Sequence, residues 1–83
     1  MVQEKREMSD YLTFELIEQK LKTMVYLVKS SFNGEVLGSI SWHWAWRRYV
    51  FYPVDNTVFD LSCLREIREF VDNLMEERKL RGS

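Results

Sequence analysis

Residues 24–43 read MVYLVKSSFNGEVLGSISWH, and this stretch decides how the fold is interpreted. Residues 24–28 are rich in β-branched and aromatic side chains, which suit a pleated, half-buried strand. Asn33-Gly34 is the strongest short-range hairpin signal, because a type I′ turn needs positive φ at both central residues. Residues 36–43 supply the returning strand. The stretch therefore predicts a tight β-hairpin with positive φ at least at Gly34.

A third strand is predicted over residues 47–52. Pro53 ends this strand, because proline removes a hydrogen-bond donor from the ladder and is confined to strand ends and edges. Asp55-Asn56 supplies residues that are typical of the next turn. The middle of the chain therefore predicts a three-stranded antiparallel meander.

The last part of the chain predicts an amphipathic helix. Its apolar positions begin at Leu64 and recur at helical spacing, with charged residues between them. Either Asp60 or Ser62 caps the first turn by accepting a hydrogen bond from a backbone amide. The helix packs on one face of the meander, so the predicted fold class is α+β. The residues expected to be largely buried are Ile40, Trp42, Leu64, Ile67, Phe70, Val71 and Leu74.

The N-terminal segment fits two structures. Leu12, Phe14 and Leu16 alternate as in a strand, whereas Phe14, Ile17 and Leu21 follow a helical stripe. The high helix propensity that follows Ile17 favours the second interpretation, and a helix is predicted at about residues 10–21. Such a helix either covers the open face of the sheet or pairs with its own copy. In the second case Phe14, Ile17 and Leu21 form the interface of a homodimer.

Composition bounds the classes of function. Lys+Arg 12 against Asp+Glu 13 gives a net charge of -1, which excludes a chain that holds nucleic acid by bulk charge alone. One cysteine excludes an internal disulfide framework and a multi-cysteine zinc site, and one histidine excludes an all-histidine metal site. No apolar run approaches the roughly 18 residues of a spanning helix, and no signal-peptide pattern is present. We expect a single intracellular domain over 1–83, with 1–22 as a helical extension and 24–80 as a β-β-β-α core.

The segment 42–52 is unusual because it holds all three tryptophans and three further aromatic residues. Two interpretations compete. Large rings fill a thin core of one sheet and one helix efficiently, and this is the favoured role of Trp42, Tyr49 and Phe51. Alternatively, rings beside arginines form a surface that stacks nucleic-acid bases or serves as a hot spot for a protein partner. The candidate partner-binding residues are Trp44, Trp46, Arg47 and Arg48.

Three ordered motifs cover much of the chain: Gly-x-Ile-x-Trp at 38–42, Trp-Arg-x-Tyr-x-Phe-x-Pro at 46–53, and Cys-Leu-x-x-Ile at 63–67. Their combination resembles a family of small uncharacterised proteins from phages, prophages and other mobile elements. The resemblance extends over about residues 24–75 and implies a genomic setting without an activity. Relatives often carry one basic residue in the second motif, where this chain has Arg47-Arg48.

Catalytic chemistry finds little support in the sequence. Cys63 lies in the first turn of the predicted helix, where the helix dipole can lower a thiol pKa. The favoured interpretation is a small packing residue, because a nucleophilic cysteine needs a base nearby and His43 is the only candidate. No spacing matches a zinc or calcium site, and no glycine-rich phosphate loop is present. We therefore expect no enzyme activity, no cofactor and no bound metal.

The function expected from these observations is a non-catalytic binding module of a virus, phage or plasmid, acting in the cytoplasm of the host cell. It engages a protein partner through the aromatic and arginine surface, without contact to a membrane. One alternative is single-stranded nucleic-acid binding through Trp44, Trp46, Arg47 and Arg48. Another alternative is a structural protein that associates with itself.

Overall fold

One antiparallel sheet and one helix form the fold of the computed structural model, which describes residues 6–8 and 11–80. The strand order in the sheet is β1-β2-β3-β4-β5, so every strand pairs with its neighbours along the chain. The elements are β1 (Arg6–Met8), β2 (Leu12–Gln19), β3 (Met24–Ser30), β4 (Val36–His43), β5 (Arg48–Pro53) and α1 (Leu61–Leu80). The α+β class, the antiparallel meander and the C-terminal helix are confirmed. The predicted number of three strands is wrong, because the sheet has five.

The predicted N-terminal helix at about residues 10–21 is also wrong, because the described part of this segment forms β2. Leu12 and Phe14 share one face of the strand and are only 1% and 3% exposed. The helical stripe would have buried Ile17 and Leu21, which are 51% and 96% exposed instead. β2 pairs with β3 along its whole length, apart from a bulge. That ladder satisfies backbone groups of both strands, a gain that local helix propensity does not include.

This strand changes the role of the N-terminal segment. The residues predicted as an extension of the core supply β1 and β2 to the sheet. Phe14 belongs to the buried core and is not available for the predicted homodimer interface. Ile17 and Leu21 remain exposed, but they do not continue a helical face.

The hairpin between β3 and β4 is confirmed in part. Gly34 has a φ of 76°, as predicted. The tight type I′ turn is wrong, because the loop includes residues 31–34 and Asn33 does not take positive φ. The loop is closed by hydrogen bonds from Ser30 N to Glu35 O and from Gly34 N to Ser30 O, both 2.8 Å. Asn33 instead accepts a hydrogen bond from Glu35 N through its side-chain oxygen at 2.9 Å, an arrangement that stabilises the wider loop.

The boundaries of β5 and α1 follow the predicted signals. β5 ends at Pro53, and Asn56 takes a φ of 65° in the turn that follows. Asp60, not Ser62, caps the helix by accepting a hydrogen bond from Cys63 N at 2.9 Å. This bond lowers the pKa of the Asp60 carboxyl, so the carboxylate stays an acceptor down to more acidic pH than usual.

The core lies between α1 and the covered face of the sheet. The Phe70 ring stacks on that of Phe14, with centroids 4.2 Å apart and planes 4° apart. The Phe70 and Tyr26 rings are nearly perpendicular, with centroids 4.8 Å apart and planes at 82°. One helical side chain therefore contacts rings from both β2 and β3. The buried hydrophobic residues are Leu12, Phe14, Met24, Tyr26, Val28, Ile40, Tyr49, Ile67, Phe70 and Leu74.

Most of the residues that were predicted to be buried do lie in or against this core. Trp42 and Val71 are half-buried and pack against it, and the other members are buried with one exception. Leu64 is 47% exposed, so its predicted burial is wrong. The buried stripe of α1 runs back from Ile67 to Cys63, which lies four residues earlier and packs against the core in its place. The confirmed residues are Ile40, Ile67, Phe70 and Leu74.

Alternate positions of β4 and β5 pair with one another on the covered face. The cross-strand pairs are Gly38 with Pro53, Ile40 with Phe51, and Trp42 with Tyr49. A Cβ atom at Gly38 would lie 2.5 Å from the Phe51 ring and 2.6 Å from the Tyr52 carbonyl oxygen. Glycine is therefore required at this position, because the ring occupies the space of the missing side chain.

Replacing Phe70 by alanine tests the central contact. We expect Phe70→Ala to lower the free energy of unfolding by about 3–5 kcal/mol, since it removes a buried ring and leaves a cavity between α1 and the face of the sheet formed by β2 and β3. Urea denaturation followed by circular dichroism measures the change. Glu69→Ala is the matched control on the exposed side of α1. A loss for Phe70→Ala no larger than that of the control would contradict this account of the core.

The space at Gly38 is tested by a double-mutant cycle with Phe51. We expect Gly38→Ala to cost about 1–3 kcal/mol of stability through overpacking, and the combination with Phe51→Leu to cost less than the sum of the single changes. The coupling should exceed about 0.5 kcal/mol. Gly34→Ala is the control: its Cβ meets nothing within 4 Å, so its cost comes from positive φ alone and should show no coupling to Phe51. Additive effects at Gly38 and Phe51 would disprove the contact.

Candidate functional site

Residues 44–47 connect β4 to β5 in a tight turn, called here the tryptophan turn. Its closing hydrogen bond runs from Arg47 N to His43 O at 2.8 Å. A second bond runs from Trp46 N to His43 Nδ1 at 3.3 Å. The His43 imidazole also stacks on the Trp46 ring, with centroids 4.6 Å apart and planes 18° apart. The histidine therefore orders the turn. This is a structural role, whereas the sequence had made His43 the candidate for a catalytic base.

The structure divides the aromatic segment between core and surface. Tyr49 is buried, and Trp42 and Phe51 pack against the core, as the favoured interpretation expected. Trp44 and Trp46 are 66% and 64% exposed. The Trp44 and Trp42 rings form a T-shaped pair, with centroids 5.8 Å apart and planes at 74°, so Trp44 extends the core outward without becoming covered. Two large rings therefore lie at the surface at one end of the molecule.

Arg47 and Arg48 follow these rings and are both exposed. Neither side chain forms an ion pair with a carboxylate in the described part of the chain. Arg47 has a φ of 56°, a left-handed conformation that costs a non-glycine residue about 1–2 kcal/mol. All four predicted site residues thus lie in one short stretch, on or directly after the tryptophan turn.

A cleft of about 200 Å³ lies between this turn and the last turns of α1. Arg78 places its guanidinium 4.0 Å from the centroid of the Trp42 ring, a cation–π contact. It also donates a hydrogen bond from an Nη atom to Lys22 O at 2.9 Å. These contacts hold Arg78 on the protein surface. The described residues that line this cationic cleft are Trp42, Arg47, Met75, Arg78 and Lys79.

The sequence pattern around Arg78-Lys79, at the charged end of the helix, does not by itself indicate a contact with the part of the sheet that holds Arg47. A signal was nevertheless present. Arg78 lies four residues after Leu74 and continues the buried stripe of α1, so its stem was placed to reach the sheet. Which part of the sheet it meets depends on the packing of the helix and is not encoded locally.

The Trp42 indole, whose residue lines the cleft, carries an unusual buried polar group. Its Nε1–H is buried and has no hydrogen-bond acceptor within the described residues. Leaving such a donor unpaired costs about 1–3 kcal/mol. The favourable ring contacts with Tyr49 and Arg78 lie on the same indole. Trp42 therefore combines a structural contact with a donor that lacks an acceptor.

Cys63 and His43 lie near opposite ends of α1. At a helical rise of about 1.5 Å per residue, Cys63 is about 22 Å from Arg78 along the axis, and Arg78 contacts the residue next to His43. The two side chains therefore do not form the dyad considered from the sequence. Burial raises the pKa of the Cys63 thiol, and the hydrogen bond and charge of Asp60 raise it further. This is opposite to the effect expected from the helix dipole alone.

The described residues show neither a metal-ligand cluster nor a membrane-spanning helix. No three histidine, cysteine, aspartate or glutamate side chains come together there as a ligand group. The one helix in that part of the chain is too polar to cross a bilayer.

A comparison with curated proteins finds a phage relative. The chain is 33% identical over 72 residues to the "Uncharacterized 9.3 kDa protein" of Acholeplasma phage L2, which covers 86% of this chain and 92% of the relative. No family model and no solved structure matches the chain. The match supports the resemblance to small phage proteins. The three-motif pattern itself stays a prediction, since the match does not show which positions are shared.

The environment of Cys63 predicts that its thiol reacts slowly with thiol-specific reagents in the folded protein. Because the pKa is raised, the thiolate fraction at pH 8 should be smaller in the folded chain than in the unfolded chain, and half-burial restricts access as well. A chromogenic disulfide reagent should therefore label native protein several times more slowly than protein in concentrated urea. Equal rates in the two states would show that Cys63 is a reactive surface thiol.

Proposed function

The chain belongs to the same family as the uncharacterised 9.3 kDa protein of Acholeplasma phage L2, and from this premise we propose that it is a non-catalytic module that binds a protein partner. The binding surface consists of Trp44, Trp46, Arg47 and Arg48. We place the protein in the cytoplasm of a host cell, where a phage protein of this size meets host or phage proteins.

The observation that carries the proposal is the exposure of two tryptophans, Trp44 and Trp46, within one four-residue turn. About two thirds of the surface of each tryptophan residue is exposed to water, although burial of an aromatic side chain is strongly favourable. Trp46 is held by His43, and the closing hydrogen bond of the turn limits its movement. An ordered ring loses little conformational entropy on binding, which favours a role as an anchor.

The arginines supply the polar part of the same surface. Tryptophan and arginine are the residues that most often dominate the energy of protein–protein contacts. A guanidinium group donates paired hydrogen bonds to a carboxylate or to backbone carbonyls. Arg48 directly follows the turn as the first residue of β5, so the base of its side chain is fixed by the ladder with His43.

Single-stranded nucleic-acid binding is the second candidate. It is favoured by Arg47 and Arg48, which directly follow the exposed Trp44 and Trp46 in the chain, since base stacking and phosphate neutralisation are the two components of such sites. The net charge of -1 argues against it, because long-range repulsion opposes the approach of a polyanion. Protein binding is therefore the preferred function.

Affinity capture with matched variants tests the function. We expect Trp44→Ala and Arg47→Ala to keep the fold, because both side chains are exposed, and to lose the partner that the wild-type chain retains from an Acholeplasma extract. Val58→Ala is the control, as Val58 is 91% exposed and lies in the loop before α1. Mass spectrometry identifies proteins retained by the wild type and the control but lost from both site variants. If both site variants keep the wild-type set of proteins, the proposed surface is wrong.

A salt titration separates the two candidate functions. Binding to a labelled oligothymidylate would weaken steeply with salt if phosphate contacts dominated, by roughly 0.7 logarithmic units per contact for each tenfold rise in salt. We expect no such binding at physiological ionic strength. Tight, steeply salt-dependent binding that is lost in Trp44→Ala would favour nucleic acid over protein.

A further inference from the structure

We propose that the cationic cleft is an anion site that receives carboxylate side chains from an acidic segment of the protein partner. The proposal rests on the proposed protein-binding function and names the chemistry of the partner. It adds Arg78 and Lys79 to a surface that the sequence had confined to the tryptophan turn and the start of β5.

The cationic lining comes from two distant parts of the chain. Arg47 belongs to the turn, whereas Arg78 and Lys79 belong to the last turn of α1. Basic residues in a last helical turn have a simpler use, because they interact favourably with the negative end of the helix dipole. That use accounts for Arg78 and Lys79 but not for Arg47. Arg47 comes from a different element of the fold, and a bound anion would account for its position beside the other two cations.

The backbone at Arg47 supports the same inference. Arg47 has a φ of 56°, which is unfavourable for residues other than glycine. The cost is smaller for asparagine and aspartate than for arginine. Glycine would occupy the position without strain. A strained residue whose side chain lines a cleft is an established type of functional position. Here the strain is accompanied by a positive charge directed to the same cleft as two others.

Two of the three cationic side chains that line the cleft are not neutralised by a carboxylate of the described residues. Neither Arg47 nor Lys79 forms an ion pair with a carboxylate in the described part of the chain. Like charges that share a cleft repel one another, and an anion between them removes the repulsion and adds attraction. The cleft is therefore more favourable when a carboxylate occupies it.

The cleft is also ordered in advance. Arg78 is fixed by its contact with Trp42 and by its hydrogen bond to Lys22 O. A side chain that is already immobile loses less entropy when a ligand binds. Trp42 and Met75 supply apolar walls that suit the methylene groups of a glutamate or aspartate side chain.

The arrangement favours a protein carboxylate over a nucleic-acid backbone. The three cations surround one cleft and do not form a track along which successive phosphates could lie. The exposed side of α1 carries acidic residues that would repel a long polyanion passing the site. These exposed residues are Glu69, Asp72, Glu76 and Glu77.

Fluorescence anisotropy with a labelled hexaglutamate peptide tests the site. We expect the wild-type chain to bind this peptide and not hexaglutamine at physiological ionic strength. Arg47→Gln and Lys79→Gln should each weaken the affinity about tenfold, which corresponds to the loss of one charge-assisted hydrogen bond. Arg65→Gln is the matched control, since it removes the same charge from an exposed residue near the start of α1. We expect it to change the affinity less than twofold.

Two outcomes would overturn the proposal. If the control weakens hexaglutamate binding as much as the two site variants do, the peptide responds to overall charge and not to the cleft. If an oligothymidylate of equal charge binds more tightly than hexaglutamate and depends on Lys79, the ligand is a phosphate backbone.

Lys79→Gln separates this proposal from the proposed function. Partner capture that depends on Trp44 but not on Lys79, together with no hexaglutamate binding, removes the anion site and keeps the protein-binding surface. Hexaglutamate binding that depends on Lys79, in a chain that captures no partner, keeps the anion site and removes the proposed protein-binding function.

Discussion

The contact on which the rest of the structure depends is the stacking of Phe70 on Phe14 at 4.2 Å, with the Tyr26 ring nearly perpendicular to that of Phe70. It fixes α1 over β2 and β3 and closes one face of the sheet. Because the helix is continuous from Leu61 to Leu80, fixing its middle also fixes its two ends. One end then lies near Phe51 and Phe59, and the other lies beside the tryptophan turn.

The two ends of the helix have different chemistry. At its start, Asp60 caps the backbone and Cys63 packs against the core in a setting that raises its pKa. At its end, Arg78 lies on the Trp42 ring and the basic side chains approach Arg47. The same packing therefore makes one end inert and concentrates charge at the other. The proposed anion site is a consequence of where the helix ends relative to β4 and β5.

Cross-strand pairing gives a physical reading of the residues that carry the family resemblance. Gly38, Ile40 and Trp42 face Pro53, Phe51 and Tyr49 across β4 and β5. The pattern of every second residue in both strands is what a covered face requires, and the glycine is where the Phe51 ring needs space. The residues at these positions stabilise the packing of β4 and β5 on the covered face. Trp44 and Trp46 are outside this pairing and leave their rings in water, which is why a binding role is assigned to them.

The sequence by itself determined the local elements: the strands on either side of Gly34, the end of β5 at Pro53, and the amphipathic helix after Asp60. It also separated the core rings Tyr49 and Phe51 from the candidate surface, because side-chain alternation and helical spacing are properties of neighbouring residues. Only the tertiary structure decided that residues 12–19 form a strand, since the deciding factor was the free edge of β3 and not local propensity. It alone joined Arg47 to Arg78 and Lys79, because no local pattern specifies which turn of the sheet the end of a helix will meet.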